Sequence, residues 1–186
     1  MRTHLARAGL LATLVLGAGA WSAPVGTELR SRIEGLLGAY RTVTVAEWRA
    51  VGSDAAPVLQ AVARDPRALP TRRARALAAL GVVRPEAAAP VIRELAPDPT
   101  AAAVLRSSAI DAAPGVLGDE AADLLIPLLR DREPLVRQHS AQALAATGAG
   151  CRAVLAEART RSASDPVSRA AARCEAQLRG GHPRTR

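Results

Sequence analysis

The sequence predicts an all-α chain built as an α-solenoid, a stack of antiparallel helix pairs, and three observations carry that prediction. Asp65, Asp98, Asp131 and Asp165 lie 33, 33 and 34 residues apart, each opening a similar stretch. An arginine follows each aspartate, at Arg73, Arg106, Arg137 and Arg169, close to an alanine-rich run. No strand pattern competes, since the one β-branched cluster, Thr42 to Val45, is short and runs into a helix start. A fixed period in the low thirties marks stacked helical repeats, none of which can bury its apolar face alone.

The elements follow in chain order. Residues 1–20 read as a signal peptide that is removed: Arg2 and Arg7 form a positive start, Ala8 to Gly19 is apolar, and Ala18 and Ala20 are small. Cleavage is expected after Ala20, because a cut after Ala23 would place the bulky Trp21 where the peptidase reads a small residue. The apolar run of 12 residues is too short to span a bilayer, which takes about 20. Residues 21–44 read as a leader, flexible over 21–27, and a short helix from Glu28 to Ala39 with Leu29, Ile33, Leu36 and Leu37 on one side.

Residues 45–179 form the repeat domain. Thr44 and Glu47 have capping-box spacing, in which the threonine oxygen takes an early helix amide and the glutamate reaches back. The helix they start holds Trp48 and Val51 and stops at Gly52, and a partner helix capped by Ser53 or Asp54 runs through Arg64. The period then predicts first helices near 70–81, 100–113, 133–146 and 166–179, and second helices near 86–95, 119–130 and 150–161. Pro114 is expected to end or bend its helix, and Gly81, Gly115, Gly118, Gly148 and Gly150 to lie near the joints. Residues 180–186 read as a disordered basic tail.

The charge is +8, with 25 basic and 17 acidic residues, and every base is arginine. Its distribution excludes a continuous phosphate-tracking stripe: residues 85–123 carry two arginines against seven acids, while residues 159–186 carry seven against two. Trp21, Tyr40 and Trp48 are the only aromatics, too few for base-stacking platforms, so no nucleic-acid partner is expected.

The stretch from Asp131 through Val136-Arg137 to Ser140, Ala141, Ala143 and Leu144 resembles the HEAT repeat family, especially its short bacterial members. Arg72 to Gly81 is the next best match. The resemblance spans roughly residues 45–179 and implies a HEAT-like superhelix of four to five helix pairs, right-handed, presenting a binding surface. Departures fall at Pro114 and in the last unit, which lacks a second helix and carries Glu175 where an apolar residue is expected, as a capping repeat would.

Several residue sets invite chemistry. The periodic ladder of Asp65, Asp98, Asp131 and Asp165 with Arg73, Arg106, Arg137 and Arg169 reads as structural, since the period supplies each arginine fork with a carboxylate. Cys151 and Cys174 read either as a disulfide closing a loop of 22 intervening residues, worth roughly 3 kcal/mol, or as two buried thiols. Two isolated cysteines do not make a metal site. His139 is the single histidine within the repeats, is expected to face solvent, and has no nucleophile beside it. Asp119, Glu120 and Asp123 fit a helix N-terminus, where the dipole favours negative charge.

The expected protein is therefore a non-enzymatic, exported scaffold, periplasmic or secreted, without cofactor or metal. It is expected to be monomeric and to bind a protein or peptide partner along one face. Contact between the basic end, Arg159 to Arg186, and an anionic envelope surface of lipid or polysaccharide is the alternative. A lyase-type or other enzyme subunit ranks below both.

Overall fold

A computed structural model describes residues 23–148 and 150–180, and among these the chain is all-helical. Residues 1–20, expected to be a signal peptide, and most of the expected tail, 181–186, lie outside the described residues. Helix α1 (Ala23–Leu37) begins inside the stretch expected to be a flexible leader. Ile33 and Leu37 anchor it to the core, which gives this segment a reason to be ordered.

The capping box at α2 (Val45–Val51) forms as its spacing predicts. The Thr44 hydroxyl accepts from the Glu47 amide at 3.2 Å, and the Glu47 carboxylate accepts from the Thr44 amide at 2.8 Å. Gly52 ends α2 at φ 87°, a left-handed angle that costs glycine little. A 3-10 turn (Ser53–Ala55) then leads into α3 (Ala56–Arg64).

The first helices are α2, α4 (Pro70–Val83), α6 (Ala103–Leu117), α8 (Pro134–Thr147) and α10 (Pro166–Gly180), and each packs on the next. The second helices are α3, α5 (Pro85–Leu95), α7 (Ala121–Leu125) and α9 (Cys151–Ala158). Helices α3, α5 and α9 also pack on the first helix that follows them in the chain. The result is one core of small and branched residues, from Ile33 to Cys174, dominated by alanine and leucine. Alanine suits it twice, through high helix propensity and by letting helices approach closely. No helix among the described residues is long and apolar enough to cross a membrane.

Two expectations are corrected. Helix α6 continues past Pro114 to Leu117 and does not end there, because Ile110 and Ala113 are fully buried and packing offsets the one lost amide bond. The second helix expected over 119–130 is instead a 3-10 turn (Gly118–Glu120), the short α7, and another 3-10 turn (Pro127–Arg130). Pro127 has no amide to give the α-helical ladder, so the segment tightens. Gly81 lies in the last turn of α4, near the joint with α5, and a Cβ there would make an ordinary van der Waals contact, 3.5 Å from Val116 Cγ2.

Gly150 is a matter of space. A Cβ on it would fall 2.6 Å from Leu144 Cβ and 2.8 Å from its Cγ, closer than carbon atoms tolerate. It sits beside Cys151, which is bonded to Cys174 with their Cα atoms 5.2 Å apart. That bond joins the start of α9 to the middle of α10, and both residues are buried.

Candidate functional site

The periodic residues come together, and what they bind is the protein itself. Each aspartate carboxylate accepts from the backbone amide two residues on, at 2.9 Å for Asp65, 2.8 Å for Asp98, and 2.9 Å for both Asp131 and Asp165. This Asx-turn bends the chain into the following first helix. Arg73, Arg106, Arg137 and Arg169 are each the fourth residue of their helix. The distance from aspartate to helix start shrinks along the chain, which masks this common position in the sequence.

From that position the guanidinium reaches neighbouring backbone and the next unit. Arg73 Nε donates to the Ala63 carbonyl at 2.9 Å, and Arg106 Nε to the equivalent Ala96 carbonyl at 3.1 Å. Arg106 forks onto the Asp131 carboxylate of the next turn, with Nη1 to Oδ1 at 3.2 Å and Nη2 to Oδ2. Arg137 places Nε and Nη2 on Asp165 Oδ2, at 3.2 and 2.9 Å. Arg169 instead donates to the Ser164 carbonyl at 2.8 Å. Arg73 and Asp98 take separate partners: the Asp98 carboxylate turns to the Thr100 amide and hydroxyl.

A second line of ion pairs runs along the second helices, and the sequence analysis did not anticipate it. Arg64 of α3 meets Glu94 of α5 at 2.9 Å, Arg93 of α5 meets Glu120, and Arg130 meets Glu157 of α9 at 2.7 Å. Adjacent residues of α5 thus face backwards and forwards along the array. Glu157 is buried and also takes Arg161. His139, expected to face solvent, is instead half-buried against α6 with Nδ1 2.7 Å from Asp111 Oδ1.

These contacts depress carboxylate pKa values. Burial pushes Asp131 up, but the Arg106 fork and the Glu133 amide outweigh it, leaving the group below the usual range. Asp165 follows the same pattern, with burial opposed by the Val167 amide and Arg137. The Arg130 bond, against burial and with help from Arg161, holds Glu157 low. Arg41, then the Thr44 amide and hydroxyl, lower Glu47 to about 2.

A folded pKa below the unfolded value stabilises the fold above the unfolded value, about 4, and that contribution is lost as pH falls through the folded pKa. Urea unfolding from pH 7 to 2 should therefore show steady stability to about pH 5 and a progressive decline below it, shallower in Asp131→Asn. Stability rising on acidification would show that the carboxylates are not held this way.

An open cleft lies at the N-terminal end, outside the ladder. Leu36 of α1, Tyr40 to Val43 of the loop, Trp48 of α2, and Arg75 and Ala78 of α4 line an open cleft of about 290 Å³. Trp48 is 7 % exposed and forms its floor, whereas Tyr40 stands fully exposed at its edge. Arg75 Nη1 donates to the Leu37 and Ala39 carbonyls, at 3.1 and 2.9 Å, so the end of α1 and the residue before Tyr40 are pinned. Arg41 pairs with Glu47 at the loop's other side. The cleft is near the lower end of small-molecule pockets and suits one or two side chains better than a cofactor.

Two of the chain's three aromatics thus share one cleft, and their eight-residue spacing around a capping box was the available signal. Among the described residues no three His, Cys, Asp or Glu side chains converge as metal ligands. No family model, curated protein or solved structure matches the chain.

Proposed function

We propose that this protein is a non-enzymatic, HEAT-like α-solenoid scaffold whose N-terminal cleft receives an apolar or aromatic side chain of a protein or peptide partner. The observation that carries the reading is the fully exposed Tyr40 beside the buried Trp48, flanked by Arg41 and Arg75. Tyrosine, tryptophan and arginine are the residues that dominate binding hot spots, and a rigid aromatic loses little entropy on contact. The aspartate and arginine period supports the scaffold half of the reading, because its hydrogen bonds are directed inward, between and within units. The disulfide supports an exported protein, periplasmic or secreted, since such bonds persist in oxidising compartments.

The experiment is selection of displayed peptides against the mature protein, followed by affinity measurement. Enriched peptides should share an apolar or aromatic anchor, and Tyr40→Ala should weaken them about tenfold or more, the loss expected of a hot-spot residue. Ala78→Arg, which fills the cleft from α4, should do the same. Peptides that bind both variants as well as the parent would place the partner elsewhere.

A further inference from the structure

The seams between successive first helices are finished differently, and the last of them is left open. Between α4 and α6, Ser108 Oγ donates to the Ala74 carbonyl at 2.9 Å. Between α6 and α8 the His139–Asp111 pair bridges the seam. Between α8 and α10 a groove remains, lined by Gln138 and Gln142 of α8 and by Pro166, Arg169, Ala170 and Arg173 of α10.

Each polar side chain lining this groove can donate hydrogen bonds, and no carboxylate lines it. Gln142 holds the ninth position of α8, the position at which α6 carries Asp111, so the acid of the preceding seam is replaced by a neutral amide. Gln138 and Gln142 are four apart on one helix and Arg169 and Arg173 four apart on the other, so each pair shares a helix face. The acids nearest in sequence are engaged elsewhere: Asp165 with Arg137, and Glu175 with Arg179. Arg169 spends Nη1 on the Ser164 carbonyl, and Arg173 makes no hydrogen bond or ion pair among the described residues.

We propose that this groove is a binding site for a tetrahedral oxyanion, the phosphate or sulfate group of an ester. A carboxylate has two oxygens and is matched by a single guanidinium fork. Two forks and two amides facing each other across a seam match a group with three or more acceptor oxygens and more than one negative charge. The groove holds about 180 Å³, room for the anion alone, so the remainder of the ligand lies outside it. With no aromatic residue in the lining, neither base nor sugar stacking contributes. The anionic group can come from a soluble ester or from a lipid headgroup. The site is separate from the Tyr40 cleft and does not depend on it.

The test is an NMR titration of the mature protein with potassium phosphate against potassium chloride at equal ionic strength, read at the Gln138 and Gln142 side-chain amides and the Arg169 and Arg173 Nε groups. Saturable shifts with a dissociation constant on the order of millimolar are expected for so small a probe. Binding should tighten as pH rises through the second ionisation of inorganic phosphate, where the probe gains its second charge, and sulfate should bind without that dependence. Arg169→Gln with Arg173→Gln should weaken binding at least tenfold, whereas Arg152→Gln with Arg159→Gln, an equal charge change, should alter it less than twofold. Gln142→Glu restores the carboxylate found in the preceding seam and should abolish binding without touching either arginine. Tyr40→Ala should have no effect, which separates this site's failure from that of the peptide cleft. Retention on phosphatidic acid vesicles that Gln142→Glu abolishes would assign the lipid source; phosphate binding without retention would assign a soluble ester. Shifts that never saturate, or equal weakening by the control pair, would overturn the proposal.

Discussion

Arg106→Ala should lower the unfolding free energy by about 3–5 kcal/mol, the cost of breaking a buried ion pair from one side. Arg106 is 1 % exposed and its partner Asp131 12 % exposed, so neither can exchange the other for water. Truncation also strips the Ala96 carbonyl of its donor and leaves a cavity at a fully buried site. Domains of this size are stable by roughly 5–15 kcal/mol, so the loss takes a large share of the total. Arg64→Ala should cost about 1 kcal/mol or less, because its pair with Glu94 is solvent-exposed and screened. Chemical denaturation of both variants checks the contrast. Equal, small losses would mean that burial does not set the strength of these pairs.

Removing the disulfide, as Cys151→Ala with Cys174→Ala, should cost about 3 kcal/mol by loop entropy for a separation of 23 residues. Alanine is the appropriate replacement, because both sites are buried and a serine hydroxyl would add an unpaired polar group. The loss should be local. Helices α9 and α10 are the two that the bond joins, so opening is expected there once the bond is gone. Hydrogen exchange should accelerate in α9 and α10 and change little in α4. Uniform acceleration along the chain would show one cooperative unit instead of a stack. No change at all would show that the bond adds nothing beyond packing.

The helix pairs were largely legible in the sequence because the period is long, repeated and accompanied by the right residue types. Asp131 with Arg137 and the run to Leu144 places α8 nearly to its ends. Errors fell where local chemistry and packing disagree. Pro114 argued for a helix end, but the burial of Ile110 and Ala113 just before it kept α6 intact, whereas Pro127, in a segment with less packing, broke its helix into turns.

The ion-pair line through Arg64, Glu94, Arg93, Glu120, Arg130 and Glu157 escaped notice for a related reason. The second helices differ in length, so its members do not repeat at 33 residues. The candidate sites were harder still. Tyr40 and Trp48 are eight apart and line one cleft because a capping box folds the loop between them. Gln142 acquires interest only beside Asp111, one helix earlier in the row.

Two of the periodic pairs, Arg106 with Asp131 and Arg137 with Asp165, hold neighbouring units together and leave those arginines no free fork for a ligand. A double-mutant cycle on Arg106 and Asp131, by denaturation in buffer free of multivalent anions, measures that link. The account predicts a coupling of about 1–3 kcal/mol, as for residues sharing one buried network, and a smaller coupling for Arg137 with Asp165. Additive effects within about 0.3 kcal/mol, with the single variants nearly as stable as the parent, would contradict it.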